Sequence, residues 1–284
     1  MRNDFCAFIL THGRPDRVHT YKSLLEHGYT GKIYIVIDNE DKTADEYRNK
    51  FGDKVLQFNK AEIAKTFDEA DNFGDRRAII YARNVCFSLA EQVGCKYFIQ
   101  LDDDYTSLFY RNDRSGTYGA WRIRKTLDDL FENLVQFYKS TPILSVAISQ
   151  GGDHIGGDSG KGLHLKRKAM NTFICSTERK FQFFGRINED VNTYTTLSRM
   201  GYLFFTVMQA QVNQLQTQSN SGGMTDLYLN SGTYLKSFYS VMYSPSSVKI
   251  GELSDPRSPK RRIHHSIDWN ATAPKILRET IKKK

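Results

Sequence analysis

Short apolar runs alternate with stretches of helical spacing through the first 150 residues, and this alternation limits the folds open to the chain. "FCAFILT" (5–11), "KIYIVID" (32–38), "KVLQF" (54–58), Tyr97 to Leu101 and "ILSVAIS" (143–149) read as strands, several of them apolar on both faces, as in a buried parallel sheet. Between them the spacing predicts a helix from Pro15 to about Gly28, one over 75–94 and one over 127–140. Proline suits a first turn and glycine a stop. Such an order predicts an α/β fold: a doubly wound, mostly parallel sheet flanked by helices. After residue 150 the expected elements are a glycine-rich loop, a helix over 189–201 following Asn188, a strand over 202–212, and an irregular basic C-terminal extension from 244. No repeat or linker divides the chain, so residues 1–284 read as one domain with halves at 1–110 and 111–284.

Apolar residues at 39% and aromatics at 13% suffice for a core and argue against disorder. The longest apolar runs are far too short to cross a bilayer, so no membrane partner is expected. "MRNDFCAFIL" reads as a first strand, not a signal peptide. Cys6, Cys86, Cys95 and Cys175 form no CxxC pair, which argues against a zinc or redox motif and for a reduced, cytoplasmic protein. Charge is unevenly spread. Residues 1–110 carry 15 Lys/Arg against 18 Asp/Glu, and residues 111–284 carry 25 against 14. A basic second half suits a polyanionic partner such as nucleic acid; a merely soluble basic surface is the plainer alternative.

The fourth apolar run ends in three carboxylates, Asp102-Asp103-Asp104. Ionised aspartates at the end of a buried strand need water, a basic partner or a cation. Ligands of open α/β sheets bind at the carboxyl ends of strands. In an extended backbone Asp102 and Asp104 project to one side, a D-x-D arrangement able to share Mg²⁺ or Mn²⁺ with a nucleotide diphosphate. A solvated acidic turn is the alternative. Other motifs fail: a phosphate loop ending at Lys161 would need glycine at Ile155 and Ser or Thr at Gly162, and an EF-hand from Asp102 would need glycine at Ser107.

Neighbouring strand ends add candidates. Thr11 and Arg14 in "THGRP" suit a nucleotide, or Arg14 is a surface charge. Asp38 ends the second strand, as a base or ribose acceptor or as a turn residue. Arg83, on a mostly apolar helix, suits a diphosphate or the aspartates themselves. Trp121, Phe181, Phe183 and Phe184 lie near basic residues and suit either base stacking or the core.

"ARNVCFSLAEQVGCKYFIQLDDD" resembles the ARN…DxD segment of GT-A glycosyltransferases, and "GRINEDVNTYT" their later xED motif. Over roughly residues 5–280 the chain resembles the TET-associated glycosyltransferase family of phage DNA hypermodification, through "THGRP", "VIDNEDKTADEY", "FIQLDDDY", "GGDHIGG", "KRKAMN", "GRINEDVNTY" and "RIHHSIDW". The resemblance implies sugar transfer from a nucleotide-sugar, expected to be a UDP-sugar, to a 5-hydroxymethylpyrimidine in DNA, cytosine or uracil, with 5-hydroxymethylcytosine the expected acceptor; a carboxylate base favours inversion, and the setting expected is the cytoplasm of an infected bacterial host. A separate dioxygenase would supply the hydroxymethyl group. It implies that Asp102 and Asp104 hold Mn²⁺ or Mg²⁺ with the diphosphate and that Asp190 is the general base; Thr11, Arg14, Asp38, Arg83, Asp102 and Asp103 are the candidates for the donor site. His264 or His265 would complete the metal sphere. Lys166, Arg167, Lys168, Arg186, Arg261 and Arg262 would meet the DNA. For Glu189 and Asp190 the plainer role is compensation of a helix dipole. Two other readings stay open: a saccharide or protein acceptor, and a non-catalytic DNA-binding protein.

Overall fold

The computed structural model describes residues 1–71, 74–114, 117–154, 166–215, 235–255 and 258–278. Over 113–114, 117–118, 253–255 and 258–262 only the backbone is described. The expected strands form as β1 (Phe5–Leu10), β2 (Lys32–Asp38), β3 (Val55–Phe58), β4 (Tyr97–Asp102), β7 (Ile143–Gln150) and β9 (Leu203–Gln214). Three further strands have no clear signal in the sequence: β5 (Tyr105–Arg114), β6 (Thr117–Arg122) and β8 (Phe173–Ser176). The helices are α1 (His19–Glu26), α2 (Ala44–Phe51), α3 (Lys60–Ala64), α4 (Ile80–Gln92), α5 (Leu127–Ser140) and α6 (Glu189–Arg199). Residues 235–243 are also helical (α7), and α8 spans Trp269–Thr272.

Among the described residues nine strands make one sheet in the order β3-β2-β1-β4-β8-β7-β9-β5-β6. β3, β2, β1 and β4 are mutually parallel, as are β7 and β9, whereas β8 and β5 run against their neighbours. The sheet is thus mostly parallel, with antiparallel insertions at β8 and at the β5–β6 edge. The C-terminal extension is not irregular: β10 (Val248–Asp255) and β11 (Ser258–Ile267) pair antiparallel as a separate two-stranded sheet.

Strand pleat accounts for the two-sided burial. In β1, Phe5, Ala7 and Ile9 face a core shared with Phe131 and Leu134 of α5, while Cys6, Phe8 and Leu10 face a second core shared with Val85, Phe87 and Leu89 of α4. Both Phe5 and Phe8 are wholly buried, and each contributes about 1.5–3 kcal/mol by leaving water. β4 follows the same rule, with Tyr97, Ile99 and Leu101 toward α5 and Phe98 toward α4. The alternation sends Asp102 to the α4 side and Asp103 to the other. Phe181 and Phe183 also belong to the α4-side packing, so these rings serve the core.

Candidate active site

The strand order brings the carboxyl ends of β1, β2 and β4 side by side, with Leu10 in register with Asp102. Asp103 turns toward β1: its Oδ2 accepts from Thr11 Oγ1 at 2.6 Å and lies 3.0 Å from Arg14 Nε. Tyr47 of α2 holds the same corner, its hydroxyl 2.8 Å from Thr11 Oγ1 and accepting from the Arg14 N–H at 3.0 Å. The backbone of the acidic turn is fixed by Thr20, which the sequence reading did not single out. Its hydroxyl donates to the Asp102 carbonyl at 2.6 Å and accepts from the Tyr105 N–H at 2.9 Å. Its own N–H donates to the Asp103 carbonyl at 3.1 Å. One threonine hydroxyl can do both because it is donor and acceptor at once.

Asp102 faces α4 and meets Arg83. The guanidinium donates from Nη2 to Asp102 Oδ1 at 3.0 Å and from Nε to Glu189 Oε1 at 2.8 Å. Arg83 is 1% exposed, packed over Phe173 and Phe183 at 5.2 and 5.9 Å. It holds the aspartate, one of its two expected partners. It also holds the glutamate of the later acidic motif, so the ends of β4 and α6 are tied by one side chain. Asn188, just before α6, takes the left-handed conformation (φ +61°) and spends its amide on Ser240 of α7 rather than on capping the helix. Asparagine tolerates that conformation better than most residues.

Burial dominates the electrostatics of the acidic turn. It pushes the Asp102 carboxyl up to about 7 against the opposing charge of Arg83, with Asp104 adding to the rise. Asp104 rises to about 6 through burial and the neighbouring Asp103. Asp104 Oδ1 is buried without a hydrogen-bond partner. Two hard carboxylate oxygens that resist ionisation suit a divalent cation, which would reverse the shift. Among the described residues no three His, Cys, Asp or Glu side chains gather as a ready ligand set.

Asp38 lies at the end of β2 and is 4% exposed. It is engaged internally: His12 Nδ1–H donates to Oδ2 at 2.7 Å, Lys60 Nζ stands 3.0 Å from the same oxygen, and the Glu40 N–H donates to Oδ1 at 2.9 Å. No pattern around Lys60 in "FNKAEI" announces a buried ammonium. Asp190 lies in the first turn of α6, 8% exposed, with the Val191 N–H donating to its Oδ1 at 2.8 Å.

The expected DNA-facing cations divide. Lys166 is exposed and donates to Asn270 at 2.8 Å, Arg167 donates to the Asp153 carbonyl at 3.3 Å, and Lys168 is half-buried with Asp190 acting on its charge. Arg186 does not face outward. It is 3% exposed, with Nη2 2.8 Å and Nε 3.0 Å from Asp71, and Nη1 3.5 Å from Asp75, because positive-φ Gly185 turns the chain inward against residues 68 and 69. An ion pair inside the protein replaces the expected DNA contact. The side chains of Arg261 and Arg262, and the glycine-rich loop over 155–165, lie outside the described residues. In β11, His264 stands opposite Gly251 and His265 opposite Ile250, their rings 4.2 Å apart.

No curated protein matches the chain. Among solved structures, glucosyl-3-phosphoglycerate synthase from Mycobacterium tuberculosis, in complex with Mn²⁺, UDP and phosphoglyceric acid, is similar at 10% identity and a TM-score of 0.48, over 93% of this chain and 87% of that one. The sequence model of the TET-associated glycosyltransferases matches residues 5–223. The chain belongs to the TET-associated glycosyltransferase family and is a glycosyltransferase.

Proposed function

We propose that this enzyme moves a sugar from a nucleotide-sugar, preferably a UDP-sugar, to the hydroxymethyl group of 5-hydroxymethylcytosine in DNA, with inversion at the anomeric carbon. The observation that carries the reading is the Arg83 bridge. It holds Asp102 of the acidic strand end and Glu189, next to Asp190, on a single guanidinium. Donor-holding and acceptor-activating carboxylates are thereby neighbours. Asp102 and Asp104 would hold Mn²⁺ or Mg²⁺, whose chemistry there is to neutralise charge gathering on the departing diphosphate. Thr11, Arg14 and Asp103 form the hydrogen-bonded floor beside it.

A primary alcohol is a weak nucleophile at neutral pH. Asp190 takes the hydroxymethyl proton as its oxygen bonds to the anomeric carbon and the bond to the diphosphate breaks. One displacement of this kind inverts the centre. The basic residues 166–168, with Arg261 and Arg262 of the tail, supply charge for the DNA backbone. An extruded base would bring the hydroxymethyl group to Asp190 most directly. An enzyme of the oxygenase class must first install the hydroxyl, and the setting is the cytoplasm of an infected bacterium. Among the described residues no helix is long and apolar enough to cross a membrane.

The test is to incubate hydroxymethylcytosine-containing and unmodified DNA with Mn²⁺ and a panel of nucleotide-sugars, then analyse nucleosides by mass spectrometry. A sugar adduct on hydroxymethylcytosine alone is expected. Equal behaviour of the two DNAs across the panel, with transfer to a saccharide or protein instead, would replace the acceptor.

A further inference from the structure

The turn Gly151–His154 follows β7 and holds the first half of "GGDHIGG". His154 is 8% exposed and its tautomer is fixed. The Ser149 hydroxyl donates to the Ala210 carbonyl at 2.6 Å, so toward His154 Nε2, 2.8 Å away, it can only accept. The ring hydrogen is thus on Nε2, and Nδ1 is a bare acceptor, buried with no partner. Burial and the charges of Arg111 and Arg167 keep the ring neutral, its pKa pushed down to about 4. Gln211 repeats the pattern. It is 7% exposed, its Nε2 donates to Asn213 Oδ1 at 2.5 Å, and its Oε1 is buried and unpaired. Buried polar atoms are nearly always satisfied, so two bare acceptors in one place point to a ligand with hydrogens to give.

Both acceptors flank Ser149. The register of β9 against β7 jumps from Val207 opposite Ile148 to Gln211 opposite Ser149, a bulge of the kind that re-aims side chains beside active sites. Gln211 is also opposite Phe109 of β5. Residues in register share a face, so Ser149, Gln211 and the half-buried Phe109 form a row across three strands. The row is turned away from the α5-side core that takes Ile148, Ala210 and Leu108. Gly151 lies against it: a Cβ there would stand 3.6 Å from Gln211 Nε2 and 3.8 Å from Asn213 Oδ1. The row sits at the catalytic end of the sheet. Gln214 is opposite Tyr105, and the Leu215 N–H donates to the Asp104 carbonyl at 3.1 Å. α6 reverses into β9 through one turn, the Tyr202 N–H donating to the Leu197 carbonyl at 3.1 Å. The first turn of α6, with Asp190, therefore lies at the end where β9 finishes.

We propose that Phe109, His154 and Gln211 seat the extruded pyrimidine and select 5-hydroxymethylcytosine over 5-hydroxymethyluracil. The inference rests on the DNA-acceptor reading given above and deepens it. The 4-amino group of cytosine carries two hydrogens, one for each bare acceptor. Uracil presents a carbonyl oxygen at the same place, which would leave both acceptors unpaired and set a third lone pair against them. Phe109 offers the ring face on which a base stacks. A hydroxyl of the donor sugar has one hydrogen and would satisfy only one of the two.

Fluorescence anisotropy, with UDP and Mn²⁺ present, measures binding of short single strands in which no base pair has to be broken. Each strand carries one 5-hydroxymethylcytosine, one 5-hydroxymethyluracil, or one 5-hydroxymethylcytosine methylated on N4, which lacks one amino hydrogen. Wild type is expected to bind the first about tenfold more tightly than either of the others, as loss of a buried hydrogen bond does. The methylated strand tests the contact without any change to the protein. Gln211→Leu and His154→Phe, checked for folding by circular dichroism, should each shrink the cytosine preference to about threefold or less. Equal affinity of wild type for the cytosine and uracil strands overturns the proposal, and so do variants that keep the full preference. Variants that keep it but lose affinity for UDP-glucose relative to UDP give the two acceptors to the donor sugar and overturn it as well. The acceptor reading fails separately, by the absence of any sugar adduct in the nucleoside analysis.

Discussion

Arg83 and Glu189, 106 residues apart in sequence, form a buried ion pair 2.8 Å long. It joins the helix before the acidic strand to the first turn of α6, and the same guanidinium holds Asp102 at 3.0 Å. Removing one partner of such a pair leaves charge stranded in the interior. Arg83→Met is expected to cost about 3–5 kcal/mol of stability, read from the urea midpoint. Arg83→Lys should recover only part, because an ammonium cannot serve both carboxylates with the planar geometry of a guanidinium. A wild-type midpoint in Arg83→Met would show that the bridge contributes nothing to folding.

Asp104 carries the unpaired buried oxygen of the acidic turn. Asp104→Asn should abolish transfer and the Mn²⁺ dependence of UDP binding, while DNA affinity stays near wild type. Chelation of the wild-type enzyme should reproduce the loss, and added Mn²⁺ should restore it. A fully active Asp104→Asn enzyme removes this residue from the metal site.

Most of the sheet was legible because β1, β2, β4 and β7 are apolar on both faces, a pattern few other settings permit. The β5–β6 edge was not. "YTSLFYRNDR" and "TYGAWR" mix polar and aromatic residues as half-exposed edge strands do, with no clean period to read. β8 is only four residues long. The tail hairpin was hidden by Pro256 and Pro259 and by the basic run after them, which looks irregular although proline is tolerated near the start of an edge strand. At the site, residue types at strand ends were readable, but their partners were not. Nothing local ties Lys60 to Asp38, Thr20 to the acidic turn, or Arg186 to Asp71, since those contacts exist only once distant elements pack.

Asp190 is assigned the proton transfer, so Asp190→Asn should lower kcat by about 10²–10⁴, the range for loss of a general base. UDP affinity should be unchanged, because the donor is held elsewhere. A variant that loses UDP binding instead would reassign Asp190 to the donor site.

Asp38 makes the folded state sensitive to acid. Burial raises its pKa, but the His12 hydrogen bond and the Lys60 charge outweigh burial, and the net shift is downward. A carboxylate depressed in the folded state adds stability above its unfolded value of about 4, and that stability is lost as pH falls through the folded value. Wild type should therefore lose stability below about pH 4. Asp38→Asn, which strands buried Lys60, should be weaker by about 3–5 kcal/mol at pH 7. The gap between the two urea midpoints should narrow at pH 3; a constant gap would mean that Asp38 does not titrate with folding.

Thr20 tests whether the acidic turn needs its backbone clamp. Thr20→Val keeps the shape but removes the hydroxyl, leaving the Asp102 carbonyl and the Tyr105 N–H without that partner. Stranding buried backbone groups costs about 1–3 kcal/mol each, less where water reaches them. Stability should fall by about that amount, measured in urea. The more telling readout is metal affinity. Asp102 and Asp104 flank the clamped peptide, so a slack turn should weaken Mn²⁺ binding several-fold even at temperatures where the variant is fully folded. Unaltered Mn²⁺ affinity together with a lowered urea midpoint would confine Thr20 to folding.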